Sequence, residues 1–277
     1  MGMMKDAYKT AGEIYFDQLS KNNPKEFEKL KLVSVEQSIV VEGAHDRAQE
    51  VLGALGVTYQ SVSAAELCGI DLPLDKPVFI NCAGTLNRPD VERLRSFVRT
   101  GGTLVTTDWA LTNFVQHTFP GFVEYNGRST GDDVVTVELT EVGKALLPDT
   151  VGANDEPRWW LESASHPIRV LDRDNVEVLI RSDEMRKKYG EDAIVVRFKY
   201  GEGVVYHMVS HIYLQRAEDR NARQQQNASE FVKAKGTALG EVTLKHDQTV
   251  GEMESAYLSV GLIIHILTQA AEHRKVA

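Results

Sequence analysis

Asp108 closes an apolar run, Gly101-Gly102-Thr103-Leu104-Val105-Thr106-Thr107-Asp108-Trp109, in which two glycines precede a strand-forming stretch and polar residues end it. In an open α/β sheet, ligands bind beyond the carboxyl ends of the strands, so Thr107, Asp108 and Trp109 fall where a ligand would sit. An aspartate there has two readings. It can cap the helix that starts at Ala110 by accepting backbone N–H groups. It can also serve as a general base or a ligand contact, with His211 as its partner. A helix N-terminus stabilises the carboxylate and weighs against the base role. The same rim receives Glu42 and His45 after the first strand, Asn81, Cys82 and Thr85 after the third, and Ser210 and His211 after a late hairpin. These residues, with Thr107, Asp108 and Trp109, form the candidate ligand-binding set. Asp108 and His211 are the catalytic candidates, and whether the chain is an enzyme stays open.

Each of the other chemistry-bearing residues has a plainer reading beside the functional one. Cys82 is either a reactive thiol at a strand end or a small buried packing residue, the usual fate of a free cysteine. Glu42, His45 and Asp108 match no metal-ligand spacing, so no metal is expected. His207 and His211 share a face only if their strand continues through both. Trp159-Trp160 offers aromatic faces to a sugar ring, yet neighbours on a strand point oppositely, which assigns one of them to the core. Gly201-Glu202-Gly203 is too short for a phosphate loop and reads as a hairpin turn, so no cofactor is expected.

The elements that must carry these residues follow from periodicity. Residues 5–20 and 25–32 read as a helical hairpin broken at Asn22-Asn23-Pro24. Ser38 to Glu42, Val57 to Val62, Val78 to Asn81 and the Gly101–Asp108 stretch are short, non-alternating apolar runs, the mark of strands buried on both faces. Between them lie helices at Arg47 to Leu55, with Asp46 as cap and Gly56 as left-handed stop, and from Arg88 to Val98, with proline in the first turn. Strands are expected at Val134 to Leu139, Arg158 to Leu161 and Val176 to Ile180. Ala193 to Tyr200 and Gly203 to Val209 form the hairpin. Residues 216–240 are polar with no apolar period and read as a mobile surface loop, with a partly helical segment and a lid as the alternatives. Gly251 to His273 is a helix apolar nearly all round, hence buried. The fold expected is α/β: a flavodoxin-like, mostly parallel sheet with helices on both faces, a late β-hairpin, and N- and C-terminal helical appendages. Its parts are a hairpin at 1–36, the α/β domain at 37–215, a polar loop at 216–250, and a buried helix at 251–277 of the same domain.

Composition narrows the function classes. The 277 residues hold 40 Asp and Glu against 31 Lys and Arg, a net charge of −9, which argues against a nucleic-acid groove. Two cysteines are too few for a disulfide framework and point to reducing cytoplasm. The start of the chain lacks a signal-peptide core, and the apolar stretch Ala256 to Leu267 is about half a membrane span, so no membrane partner is expected. A small polar ligand remains as a partner, and so does a second copy or another protein docked on the N-terminal hairpin or the C-terminal helix.

The strand order, the Phe97-Val98-Arg99-Thr100-Gly101-Gly102-Thr103-Leu104-Val105 phrase and the Tyr200-Gly201-Glu202-Gly203-Val204-Val205 phrase resemble the class I glutamine amidotransferase-like superfamily, and within it the ThuA-like, non-glutaminase branch. The likeness spans residues 38–214. In true amidotransferases the turn after strand four bears a nucleophilic cysteine, and a late His-Pro-Glu supplies base and orienting acid. Here Thr107-Asp108-Trp109-Ala110 and Ser210-His211-Ile212-Tyr213 stand at those places, so the histidine is kept, the cysteine is absent, and Tyr213 replaces the acid. A carboxylate cannot form the glutamine-derived thioester. The resemblance therefore implies a catalytically diverged domain used for binding or assembly, without glutaminase activity. The alternative is a hydrolase-type enzyme acting on a small polar or sugar-like substrate through Asp108 and His211.

Overall fold

The computed structural model describes residues 3–34 and 38–272; the outer ends of the expected hairpin and terminal helix, including His273, lie outside these residues. In chain order the elements are α1 (Met3–Asn22), α2 (Pro24–Ser34), β1 (Ser38–Val41), α3 (Ala48–Ala54), β2 (Tyr59–Val62), β3 (Val78–Ile80), α4 (Arg88–Arg99) and β4 (Thr103–Thr107). A π-helical turn at Leu111–Val115 leads into α5 (Gln116–Thr118). Then come β5 (Val123–Tyr125), β6 (Asp133–Thr136), β7 (Glu138–Leu139), α6 (Glu141–Leu146), β8 (Arg158–Leu161), β9 (Ile168–Val170), β10 (Val176–Arg181) and α7 (Asp183–Tyr189). The chain continues through β11 (Ala193–Tyr200), β12 (Gly203–Met208), α8 (Ser229–Ala234) and α9 (Val250–Glu272).

The main sheet is mixed. Its order is β2-β1-β3-β4-β12-β11-β10-β7, with β9 paired to β11 and β5 to β9. The five strands from β2 to β12 run parallel, and they carry the rim. From β11 onward the pairing is antiparallel. The β11–β12 hairpin inserts β12 beside β4, so the end of β12 lies next to the turn after β4. Every residue of β1, β3 and β4 is buried, in keeping with strands covered on both faces. The strand expected over Val134 to Leu139 splits at Val137. β6 leaves the main sheet to pair with β8 in a two-stranded ribbon, while β7 pairs with β10.

Packing fixes two elements that the sequence left open. The N-terminal hairpin packs on the core of its own chain: α1 buries Ala7, Tyr8, Ala11 and Ile14 and packs on α3 and α9. The Tyr8 hydroxyl donates to the Ile212 carbonyl (3.0 Å) and accepts from the Leu214 N–H (2.9 Å), fastening the segment that follows His211. Residues 216–240 are partly helical and partly buried. They carry α8 and bury Gln224, Phe231 and Val232, and their arginines pair with acids of neighbouring elements. The apolar window of α9, long enough on its own to cross a membrane, is 94% buried inside the fold. Its His265 faces Tyr206 of β12.

Candidate functional site

β4 delivers Asp108 through a strained turn. Asp108 has φ +50°, a left-handed conformation costly for a residue with a side chain but better tolerated by aspartate than by most. A strand that passes through such a turn into a helical segment holds its side chain out at the sheet rim. The helix that follows starts as a π-type turn. Asp108 does not cap it: no side chain caps that turn, and the Asp108 carboxylate Oδ1 accepts from the His166 N–H instead (3.1 Å). The capping reading is thereby corrected, because the carboxylate turns toward the loop after β8 rather than toward its own helix.

His211, Cys82 and Asp108 converge. His211 Nε2 lies 3.6 Å from Asp108 Oδ2, with the two side chains 1% and 4% exposed. Cys82 Sγ lies 3.7 Å from the same oxygen. On its other side His211 Nδ1 is 2.9 Å from Glu162 Oε2. Ser210 Oγ accepts from the Glu162 N–H (3.2 Å), so the residue before His211 fixes the acid that orients it. Trp160 sets its ring edge toward the imidazole at 6.0 Å. His211 Nε2 is buried without a hydrogen-bond partner.

The neighbouring loops are pressed onto this centre. A Cβ on Gly43 would fall 2.1 Å from the Cys82 carbonyl oxygen, and one on Gly84, at φ +69°, would fall 2.5 Å from the Ala110 Cβ. Only glycine permits either approach. Cys82 N–H donates to Thr107 Oγ1 (3.2 Å), and Thr107 Oγ1 donates to Asp46 Oδ2 (2.7 Å). Asp46, expected to cap the helix from Arg47, accepts from the Arg47 N–H with Oδ1 (2.6 Å) and gives Oδ2 to the rim. The next N–H, that of Ala48, goes to Asn81 Oδ1 (3.3 Å). Local sequence shows only the nearest helix to an aspartate; the threonine that claims Asp46 comes from a strand 61 positions away.

Other expected residues lie around the centre or apart from it. His45 is exposed and sets its ring edge-on to Trp109, with centroids 5.2 Å apart. Trp109 stacks with His166 at 6.0 Å, and His166 stacks with Tyr125 at 4.1 Å, giving a row of flat rings beside Asp108. Trp109 Nε1 donates to the carbonyl of Ala164 (2.7 Å), itself at φ +68°. Glu42 accepts from Ser61 Oγ (2.8 Å) on β2 and Thr85 is exposed, so neither joins the cluster. Both Trp159 and Trp160 are buried, which corrects the assignment of only one to the core. Tyr213 packs on Tyr8 at 5.5 Å and leaves the acid's role to Glu162.

A search with protein-family models finds no match to this chain, and a search of curated proteins finds none either. Solved structures give distant likenesses. One is a ThuA-like protein from Bacteroides uniformis: TM-score 0.45, 12% identity, 63% of this chain and 81% of that one. Another is a cytoplasmic protein from Salmonella typhimurium: TM-score 0.44, 13% identity, 75% of this chain and 100% of that one. An exo-β-1,4-mannosidase from an Opitutaceae bacterium aligns with TM-score 0.44 and 13% identity over 67% of this chain, which spans only 33% of the mannosidase.

Electrostatics separates the roles. Burial pushes the Asp108 carboxyl up to about 7, against the pull of His211. Burial opposes a charge on His211, but Asp46, Cys82, Glu162 and Asp108 together overcome it and push the imidazole up to about 11. Burial raises the Cys82 thiol. The centre is thus an imidazole enclosed by carboxylates and a thiol, a setting that calls for positive charge. Glu162, His166 and Asp46 were not among the expected site residues. Glu162 directly follows an apolar strand, a usable signal, but that strand lies in the antiparallel ribbon, where the strand-end rule gives no rim.

Proposed function

We propose that the rim is a hydrolytic site for a small polar substrate, built on an amidotransferase-like, ThuA-like scaffold that lacks glutaminase chemistry. The observation that carries this reading is the chain Glu162–His211–Asp108. Glu162 faces Nδ1 of the imidazole, so Nε2 is the atom turned toward Asp108. Acid–imidazole–acid order with one orienting partner is the arrangement of water- or nucleophile-activating sites. Asp108 and His211 converge on the position of an attacking water. The ring row His45, Trp109, His166 and Tyr125 offers flat faces to a sugar-like substrate. Cys82 sits on the end of β3, not on the turn after β4, so it takes no amidotransferase nucleophile's place.

The test is hydrolysis of a panel of p-nitrophenyl esters and glycosides by wild type, Asp108→Asn and Glu162→Gln. Asp108→Asn should fall to background and Glu162→Gln should lose about 100-fold in kcat with KM little changed. Equal turnover in all three would sink the reading. Incubation with glutamine should release no ammonia; release that disappears in Cys82→Ala would restore a glutaminase.

A second reading, a diverged domain used for binding or assembly, is favoured by how little of the centre reaches solvent, with Asp108 and His211 side chains 4% and 1% exposed. It expects no turnover on any panel member, and it expects sedimentation of the intact protein to show a dimer or larger species.

A further inference from the structure

We propose that Cys82, Asp108 and His211 bind one zinc ion. The inference names the water-activating group of the hydrolytic reading; it relies on that reading for its chemistry and not for its test.

Three observations carry it. First, one ligand atom from each residue — Sγ, Oδ2 and Nε2 — lies within 4.8 Å of the other two, and the edges at Asp108 Oδ2 are 3.7 and 3.6 Å. A tetrahedral zinc with Zn–S of about 2.3 Å and Zn–N or Zn–O of about 2.0–2.1 Å has ligand–ligand edges of roughly 3.3–3.6 Å. The two edges at Asp108 Oδ2 already match, and the third, within 4.8 Å, closes as Cys82 Sγ and His211 Nε2 move inward onto one ion. Second, His211 Nε2 is a buried nitrogen with no hydrogen-bond partner, aimed at the other two ligand atoms. Third, the remaining atoms of the imidazole and the carboxylate are already held. Glu162 faces His211 Nδ1 at 2.9 Å, and the His166 N–H donates to Asp108 Oδ1 at 3.1 Å. An imidazole whose far nitrogen is held by a carboxylate is the usual outer shell of a zinc histidine.

The donor set selects the ion. A thiolate, an imidazole and a carboxylate suit zinc better than magnesium or calcium, which take oxygen ligands. Thiolate and carboxylate together neutralise a divalent charge within a buried centre. Three protein ligands leave a fourth position for water, the pattern of catalytic rather than structural zinc. Bound there, zinc lowers the pKa of that water.

The test uses the full chain, stripped with dipicolinate and titrated with Zn²⁺ against a chromophoric chelator, and separately loaded with Co²⁺. Wild type should take up one equivalent of Zn²⁺. Its Co²⁺ form should show a thiolate-to-cobalt charge-transfer band in the near ultraviolet, absent in Cys82→Ser. His211→Ala and Asp108→Asn should each weaken Zn²⁺ binding at least 100-fold, and Glu162→Gln about 10-fold. Circular dichroism and a melting curve identify any variant that fails to fold. For such a variant, Zn²⁺ raising the melting temperature of wild type but not of Glu162→Gln to the same extent gives the second measurement. No charge-transfer band in folded wild type, or uptake equal in wild type and Cys82→Ser, overturns the proposal. Zinc uptake without turnover on any panel substrate upholds the zinc site and removes the hydrolytic reading. Turnover that survives complete stripping does the reverse.

Discussion

A half-exposed polar cluster anchored on buried groups and the buried rim centre are built on opposite terms. Beneath residues 216–224, Arg223 bridges Glu254 of α9 and Asp155. Arg220 pairs with Glu184, and the buried Arg158 reaches Glu156 and Gln224. Gln224 in turn donates to the Glu156 carbonyl (3.0 Å). Cation and anion alternate, and the cluster joins the ribbon, the polar segment and α9. At the rim, one imidazole faces Asp46, Asp108, Glu162 and Cys82; an unpartnered nitrogen is common to both clusters, His211 Nε2 here and Arg158 Nε there, so the excess of acids is what sets the rim apart. A balanced network holds parts together. An anion-rich centre is arranged to receive something, and perturbed groups of this kind concentrate at working sites.

The contrast can be broken by substitution. The largest effect is expected in the balanced cluster. Arg223→Ala leaves the fully buried Glu254 carboxylate with only the Glu156 N–H and the Gln224 amide as donors, and should lower stability by about 3 kcal/mol in urea titrations. A loss below about 1 kcal/mol would mean that Arg223 is dispensable there.

Next comes a pH effect outside both clusters. Burial holds His265 down at about 4 and His207 at about 3, so the unfolded chain binds their protons first. Stability contributed by their neutral forms is fully present above pH 6.5 and is lost as pH falls toward 4. His265→Leu should remove about 2 kcal/mol of the stability lost between pH 7 and 4.5, measured by denaturation at both pH values. An unchanged acid loss would show that His265 takes up its proton as readily in the folded chain as in the unfolded one.

A smaller effect, about 1 kcal/mol, is expected for Tyr8→Phe, which leaves the Ile212 carbonyl and Leu214 N–H without their shared partner. It should also reduce rim turnover, because those bonds fasten the segment carrying His211. The smallest is Asp108→Asn in metal-stripped protein. Removing one acid from an excess of acids, at a φ that asparagine tolerates, should leave stability within about 0.5 kcal/mol or raise it. A loss comparable to that of Arg223→Ala would erase the distinction between the two clusters.

How much of this was legible in the sequence depends on the range of the interaction. Thr107, Asp108 and Trp109 could be placed at the rim because an apolar run ending in polar residues shows both a buried strand and its end. His211 could be placed because the β11–β12 hairpin has an unmistakable turn. The acid that orients His211 could not: Tyr213 occupies its expected position, and Glu162 arrives from a ribbon that leaves the main sheet. Only half of Asp46 was legible for the same reason: its bond to the Arg47 N–H is local, and its second partner, Thr107, is a tertiary neighbour. The polar run at 223–227 has no apolar period, and nothing local reveals that Arg223 and Gln224 are matched by acids and amides brought from Asp155, Glu156 and Glu254.

The bond from Tyr8 to Ile212 spans 204 positions and the one from Leu214 to Tyr8 spans 206. During synthesis α1 emerges long before the segment it fastens and before α9, its main packing surface, exists. Until then its buried face, Ala7, Tyr8, Ala11 and Ile14, has only the early elements α2 and α3 beside it. A helix made early and fully seated late gives the chain a high contact order and leaves part of that face exposed to wrong partners on the way. The order of translation and the order of assembly therefore run in opposite directions here, and a ribosome-stalled chain ending near residue 200 should hold α1 without its α9 cover and more open to proteolysis than in the complete fold.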